Sequence, residues 1–174
     1  MQDHRNIDIS RFFAAGINYK KTDASRRGLF AINNDQYRII LQKAAETGAR
    51  ELFILSTCNR TEVYGFAENV DQLIQLICNE TAGNIEEFKQ LAYIKKGVEA
   101  VDHLFHVGAG LDSQILGDYE IVGQLKNAVN LSKENGFIQA FSDRLVNAVL
   151  QSSKEIKNQT ALSGGTVSVS FAAV

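Results

Sequence analysis

Leu52-Phe53-Ile54-Leu55-Ser56-Thr57-Cys58-Asn59-Arg60-Thr61-Glu62-Val63-Tyr64-Gly65-Phe66 is the stretch on which the reading of the fold turns. The runs 52–55 and 63–66 are short, apolar and rich in β-branched and aromatic residues, so both read as strands. The polar residues between them read as a hairpin loop, in which Asn59 tolerates the positive φ that such loops often need. Cys58 then lies in a turn at the end of a sheet.

Upstream, Arg11-Phe12-Phe13-Ala14-Ala15-Gly16-Ile17 is a continuous apolar run and reads as a buried first strand. A polar loop over 18–27 follows, with a short helix starting near Ala24. Asn33, Asn34 and Asp35 supply caps for a helix whose apolar positions are Tyr37, Ile40, Leu41 and Ala44, and Gly48 closes it. Downstream of the hairpin, Val70, Leu73, Ile74 and Ile77 mark a second amphipathic helix that ends near Gly83. Cys78 lies beside its apolar face and reads as structural. Leu91-Ala92-Tyr93-Ile94 reads as a fourth strand.

The order strand, helix, strand, strand, helix, strand predicts an α+β, ferredoxin-like split βαβ unit over 1–97: a four-stranded antiparallel sheet with two helices on one face. From residue 98 to 162 the pattern is helical. Val98, Val101, Leu104 and Phe105 form one face of a helix reaching Gly108. Asp118 caps a second helix carrying Ile121, Val122, Leu125, Ala128 and Val129, stopped at Asn135-Gly136. Phe141, Leu145, Ala148, Val149 and Ile156 mark a third. This extension is expected on the open face or the side of the first unit. From Gly164-Gly165 an apolar pattern begins and breaks off at Val174, which reads as an interrupted element.

A hydrophobic fraction of 45% and a charged fraction of 22% place the chain among ordinary water-soluble proteins. No apolar run approaches a membrane span, and the first residues lack the basic-then-apolar order of a signal peptide. With 2 cysteines no disulfide framework is available, which suits the cytoplasm. The net charge of −2 and the scattered Lys and Arg give no independent support for nucleic-acid binding.

Cys58 has two readings. It is a nucleophile whose thiolate is stabilised by nearby Arg60, or a small residue tucked under the turn, the commoner fate of a lone cysteine. His103 has two readings as well. With Glu99 and His106 it forms a solvent-facing polar edge, or folding brings it to Cys58 as a general base. No further ligand joins the Glu99, His103 and His106 set at metal spacing, so no metal is assigned. Gly108-Ala109-Gly110 follows a helix and lacks the third glycine of a dinucleotide fingerprint, so no cofactor loop is assigned either. Ser113, Asp118, Glu120 and Gln124 read from local pattern as capping and surface.

The run from Ser56 to Tyr64 closely resembles the signature of the glutamyl-tRNA reductases. Gly16-Ile17-Asn18-Tyr19-Lys20 resembles the same family's Gly-x-Asn-His-Lys-Thr segment. His103-Leu104-Phe105, Gly110-Leu111-Asp112-Ser113, Ile115-Leu116-Gly117 and Gly123-Gln124-Leu125-Lys126 resemble its central block. Val167 to Val174 resembles the junction into its NADPH domain. The similarity spans essentially the whole chain. Departures are Tyr19 for the early histidine, His106 for an arginine, and Asp118-Tyr119-Glu120 for Glu-Pro-Gln.

The resemblance implies that a cysteine attacks the ester of glutamyl-tRNA, holds a thioester, and passes it to NADPH for reduction to glutamate-1-semialdehyde in tetrapyrrole synthesis. It implies Cys58 as nucleophile and His103 as the acid/base residue. It implies that Arg60 pairs with the substrate carboxylate and that Thr57, Ser113 and Gln124 hydrogen-bond the substrate, with Asp118 and Glu120 in the same substrate-binding block. On this reading 1–97 is the catalytic subdomain, 98–162 completes it, and 163–174 begins the junction to an NADPH-binding Rossmann domain that the chain lacks. The family pairs with itself through a further domain and implies glutamate-1-semialdehyde aminotransferase as a partner, so this chain is expected to be monomeric or weakly associated. The rival readings are a ligand-binding or regulatory module of the same fold, supported by Tyr19 and Asp118, and a redox-sensing thiol, for which no resolving cysteine lies nearby in sequence.

Overall fold

Side chains alternate across a strand, so a strand buried on both faces needs apolar residues at nearly every position. The first strand meets that demand. In the computed structural model, which describes residues 7–160 and Leu162, β1 is Phe12–Asn18 and every residue in it is buried. A 3-10 turn, Ile9–Arg11, leads into it. The interrupted stretch from residue 163 onward and the first six residues lie outside the described residues.

The remaining elements are α1 (Ala24–Gly28), α2 (Asn34–Thr47), β2 (Arg50–Ser56), β3 (Arg60–Phe66), α3 (Val70–Cys78), α4 (Ile85–Leu91), β4 (Tyr93–Lys96), α5 (Val98–Gly108), α6 (Glu120–Glu134) and α7 (Ala140–Gln159). The sheet order is β2-β3-β1-β4 and every pairing is antiparallel. That is the expected ferredoxin-like arrangement with a helical extension. α2 begins in a full capping box, Asn33 with Gln36, and ends at Gly48 in the left-handed conformation.

The sheet separates two cores. Phe13, Ala15, Ile17, Leu52, Ile54 and Val63 face α2 and α3. Phe12, Ala14, Phe53 and Tyr64 face the other way and pack with Ala100 and Leu104 of α5, Leu125 of α6 and Val149 of α7. Phe53 and Tyr64 stack there with ring centroids 4.9 Å apart. The extension therefore covers the open face of the sheet.

Four local expectations change. α4 was not foreseen: it has seven residues and buries only Phe88, too little for a visible period, although Asn84 caps it by accepting the Glu87 N–H at 2.8 Å. β4 starts two residues later than expected, because Leu91 closes α4. Val98 does not join the apolar face of α5; it is 71% exposed, and Ala100, Leu104 and Val107 are buried instead. Among the described non-glycine residues, positive φ occurs at Glu51 rather than Asn59. Glu51 (φ 47) lies where the β2–β3 register shifts. This turns its buried carboxylate to the first turn of α7, where it accepts the Ser142 N–H at 2.6 Å. No helix among the described residues is long and apolar enough to cross a membrane.

Candidate active site

The hairpin tip is tied down through its backbone. The Thr57 N–H donates to the Arg60 carbonyl at 2.8 Å, and the Asn59 N–H donates to the Thr57 hydroxyl at 3.2 Å. The Tyr19 N–H reaches the Asn59 carbonyl at 3.0 Å, and Arg27 Nε reaches the Cys58 carbonyl at 3.2 Å. Cys58 itself is exposed, so it is not tucked under the turn. Cys78 is the opposite case: it is buried, and burial pushes its thiol up to about 11.

Directly below the tip, strand alternation sends Arg60, Glu62 and Tyr64 to the α5 side of the sheet. The Glu62 carboxylate is fully buried and takes four donors. Arg60 Nη1 lies 3.1 Å away, Tyr64 Oη 2.7 Å and His103 Nε2 2.8 Å, and the Tyr93 hydroxyl is the fourth. Room for this side chain comes from Gly16, which faces Glu62 across the β1–β3 ladder and Tyr93 across the β1–β4 ladder. A Cβ on Gly16 would stand 2.6 Å from Glu62 Cγ and 2.8 Å from the Thr61 carbonyl oxygen.

Burial alone would raise the Glu62 pKa. The Arg60 charge, with hydrogen bonds from His103 and Tyr93, overrides it and holds the group at about 2. Burial likewise opposes the charge on Arg60, and Glu62 more than restores it, so its pKa lies above the ordinary value. Tyr64 and Tyr93 are pushed well up, first by burial and then by Glu62, and both stay neutral donors.

A second carboxylate closes the cluster from above. Asp112, on the connection between α5 and α6, accepts from Arg60 Nη1 at 3.2 Å and from Asn18 Nδ2 at 3.4 Å, and it pairs with Lys20. Arg60 Nη2 also donates to the Asp112 carbonyl. The Asp112 hydrogen bond raises the Lys20 pKa. The Tyr19 hydroxyl donates to the Ser113 carbonyl at 3.2 Å, so the 18–20 loop binds both the hairpin and this connection.

The residues singled out from sequence thus fall into two groups. Arg60 and His103 meet at Glu62, with Ser113 beside Asp112. His103 is turned inward; Glu99 and His106, its supposed companions on a polar edge, remain exposed. Asp118, Glu120 and Gln124 lie at the start of α6, where Asp118 accepts the Glu120 N–H at 3.0 Å. Gln124 lines a cleft of about 490 Å³ between α2, β2 and α6 that also takes in Ser56, Asn34 and Asn127. Glu62, Asp112, Tyr93 and Lys20 received no role from sequence. The available signal was Arg60-x-Glu62-x-Tyr64, three polar-headed residues on one face of a buried strand.

Glu62, His103 and Asp112 offer ligand atoms within 4.8 Å of one another. Both carboxylates already pair with Arg60 or Lys20, so the set is charge-balanced without an ion. Gly108 and Gly110, the Gly-x-Gly of the sequence, fall at the C-terminal end of α5, where a phosphate would meet carbonyls rather than N–H groups. This Gly-x-Gly therefore does not form a dinucleotide's phosphate loop.

A family model described as "Glutamyl-tRNAGlu reductase, N-terminal domain" matches residues 15–160. The chain is 49% identical over 174 residues to a glutamyl-tRNA reductase of Christiangramia forsetii, covering all of this chain and 42% of that protein. It is 36% identical over 169 residues to one of Aquifex aeolicus, covering 95% of this chain and 41% of that protein. The solved glutamyl-tRNA reductase from Methanopyrus kandleri superposes with a TM-score of 0.76 at 25% identity, over 91% of this chain and 37% of that one. The chain thus spans about two fifths of the length of its relatives. By signature, fold and extent of match, it belongs to the glutamyl-tRNA reductase N-terminal domain family.

Proposed function

We propose that this chain carries the acyl-transfer half of the glutamyl-tRNA reductase reaction. The supporting observation is Cys58, exposed on a backbone-anchored turn that leads within two residues into Arg60 of the buried Arg60–Glu62–His103 cluster. The Cys58 thiolate attacks the ester carbonyl carbon of glutamyl-tRNA. The bond to the ribose oxygen breaks, that oxygen takes up a proton, and the glutamyl group stays on sulfur as a thioester. A thioester carbonyl is less resonance-stabilised than an ester, so one hard reduction becomes two easier steps.

His103 is the acid/base residue in this reading. An ionised carboxylate only accepts hydrogen bonds, so the contact with Glu62 assigns the proton to Nε2 and leaves Nδ1 for proton exchange. Arg60 receives the carboxylate of the glutamyl side chain, for which its planar fork is suited. Thr57, Ser113 and Gln124 hydrogen-bond the substrate, with Asp118 and Glu120 beside them. NADPH supplies the hydride that yields glutamate-1-semialdehyde and, in this reading, is held outside the described residues. The partners in this reading are glutamyl-tRNA, a second copy of the full-length protein and glutamate-1-semialdehyde aminotransferase, in the cytoplasm.

Intact mass after incubation with glutamyl-tRNA tests the proposal. A glutamyl adduct, or deacylation of the tRNA, is expected with the natural chain and not with Cys58→Ser. The loss should be at least about a thousandfold, as for other removed nucleophiles. A folded chain that does neither would overturn the proposal for this chain. The same result with the full-length protein would make it a binding module of the same fold, and adducts there alone would mean that the rest of the protein presents the tRNA.

A further inference from the structure

Arg60 lies beneath Asp112, and its side chain is only 1% exposed. If Arg60 receives the glutamyl carboxylate, the reading on which this inference rests, something must uncover it. Charge decides what moves. Two cations, Arg60 and Lys20, face two carboxylates, Glu62 and Asp112. A third carboxylate would be buried without a counter-charge, which desolvation strongly opposes. The incoming group must therefore replace one already present.

Glu62 is fixed. It sits in a central strand, is fully buried, and is held by Tyr64, Tyr93 and His103 as well as by Arg60. Asp112 is placed differently. Its side chain is 12% exposed, and it is carried by a connection rather than by the sheet. That connection is pinched at its base. Gly110 (φ +72) and Gly117 (φ +77) both adopt the left-handed conformation, and the Gly117 N–H donates to the Gly110 carbonyl at 3.0 Å. Displacing the segment between these two glycines would release Arg60 from Asp112 and Tyr19 from the Ser113 carbonyl, and would leave the hydrogen bonds of the flanking helices in place. Leu111 and Leu116 on it are exposed, so their displacement opens no core.

We propose that Asp112 is an internal stand-in for the substrate carboxylate and thereby a specificity-determining residue. A glutamyl side chain displaces the Asp112 carboxylate from Arg60, and charge is conserved because one carboxylate leaves as another arrives. A glutaminyl group brings no charge, so it cannot make the exchange.

The test uses the 174-residue chain carrying Cys58→Ser, so that esters are not consumed. L-glutamate α-methyl ester and L-glutamine α-methyl ester are titrated by calorimetry. Adding Asp112→Asn weakens the internal competitor and should tighten glutamate-ester binding about five- to tenfold, since a larger fraction of the protein is ready to bind. Glutamine-ester binding should not change. Unchanged or weaker glutamate-ester binding, with glutamate still preferred over glutamine, overturns the proposal and leaves Arg60 as the receptor. Equal binding or no binding of the two esters in both proteins overturns the role of Arg60, and this proposal with it. Should Asp112→Asn fail to fold, hydrogen exchange on the Cys58→Ser chain replaces it. Saturating glutamate ester should speed exchange at the amides of residues 111–117, and unchanged or slower exchange would sink the idea.

Discussion

The two faces of the sheet come from the same strands and are held together by different physics. On the face toward α2 and α3 the strands contribute Phe13, Ala15, Ile17, Leu52, Ile54 and Val63. On the face toward α5 the apolar pattern runs through Phe12, Ala14, Phe53 and Tyr64. At the end nearest Cys58 it then gives way to Asn18, Arg60 and Glu62, all buried. Dispersion and water exclusion hold the first face, and their loss is graded with the volume removed. Partner-for-partner charge satisfaction holds the second, and removing one member strands the others. The apolar face is thus a platform; the charged end is a set of mutually satisfied buried groups, next along the chain from the turn that carries the exposed Cys58.

Glu62→Gln should separate the faces most sharply. It strips the buried Arg60 of its closest counter-charge and is expected to cost about 3–5 kcal/mol in urea unfolding. Its effect must also depend on pH. The folded-state Glu62 pKa of about 2 lies below the ordinary 4.5. Its stabilisation is therefore complete above about pH 5 and lost as pH falls toward about 2. The Gln variant should lack that acid limb; an identical pH profile in both proteins would mean that the cluster does not stabilise the fold through charge. Ile54→Ala on the apolar face is the matched control, expected to cost about 2–4 kcal/mol with the acid limb intact.

Gly16→Ala should follow, at about 1–3 kcal/mol, because its Cβ meets Glu62 Cγ and the Thr61 carbonyl. Combining it with Glu62→Ala, which removes the clashing Cγ, should recover part of that cost in a double-mutant cycle. A Gly16→Ala chain as stable as the natural one would break the account of how Glu62 is accommodated. The smallest effect concerns the thiols. In the native state iodoacetamide should label Cys58 and spare buried Cys78, and peptide mass mapping before and after denaturation reads the difference.

Much of this architecture was legible because it is local. The buried run of β1, the Asn33–Gln36 capping box, Gly48 and the paired runs about Cys58 each carry their instruction within a few residues. The ferredoxin-like order follows once those elements are placed. α4 escaped notice because one buried phenylalanine in seven residues makes no period. Val98 was assigned to the wrong side of α5 because helical spacing alone does not say which stripe meets the sheet.

The sequence by itself determined the order of the four strands and their main helices, the turn that carries Cys58 and, through its signature, the family. The exposure of Cys58 and the presence of α4 came from the tertiary structure. Only the tertiary structure decided what Arg60 and His103 touch. Tyr93, His103 and Asp112 stand 31, 41 and 52 residues along the chain from the groups they bind in the cluster. No local rule connects such positions. They converge because β4 pairs with β1 across the empty side of Gly16 and because α5 packs on the face to which Glu62 points. A carboxylate buried there requires donors, and the fold supplies them from elements the sequence keeps far apart.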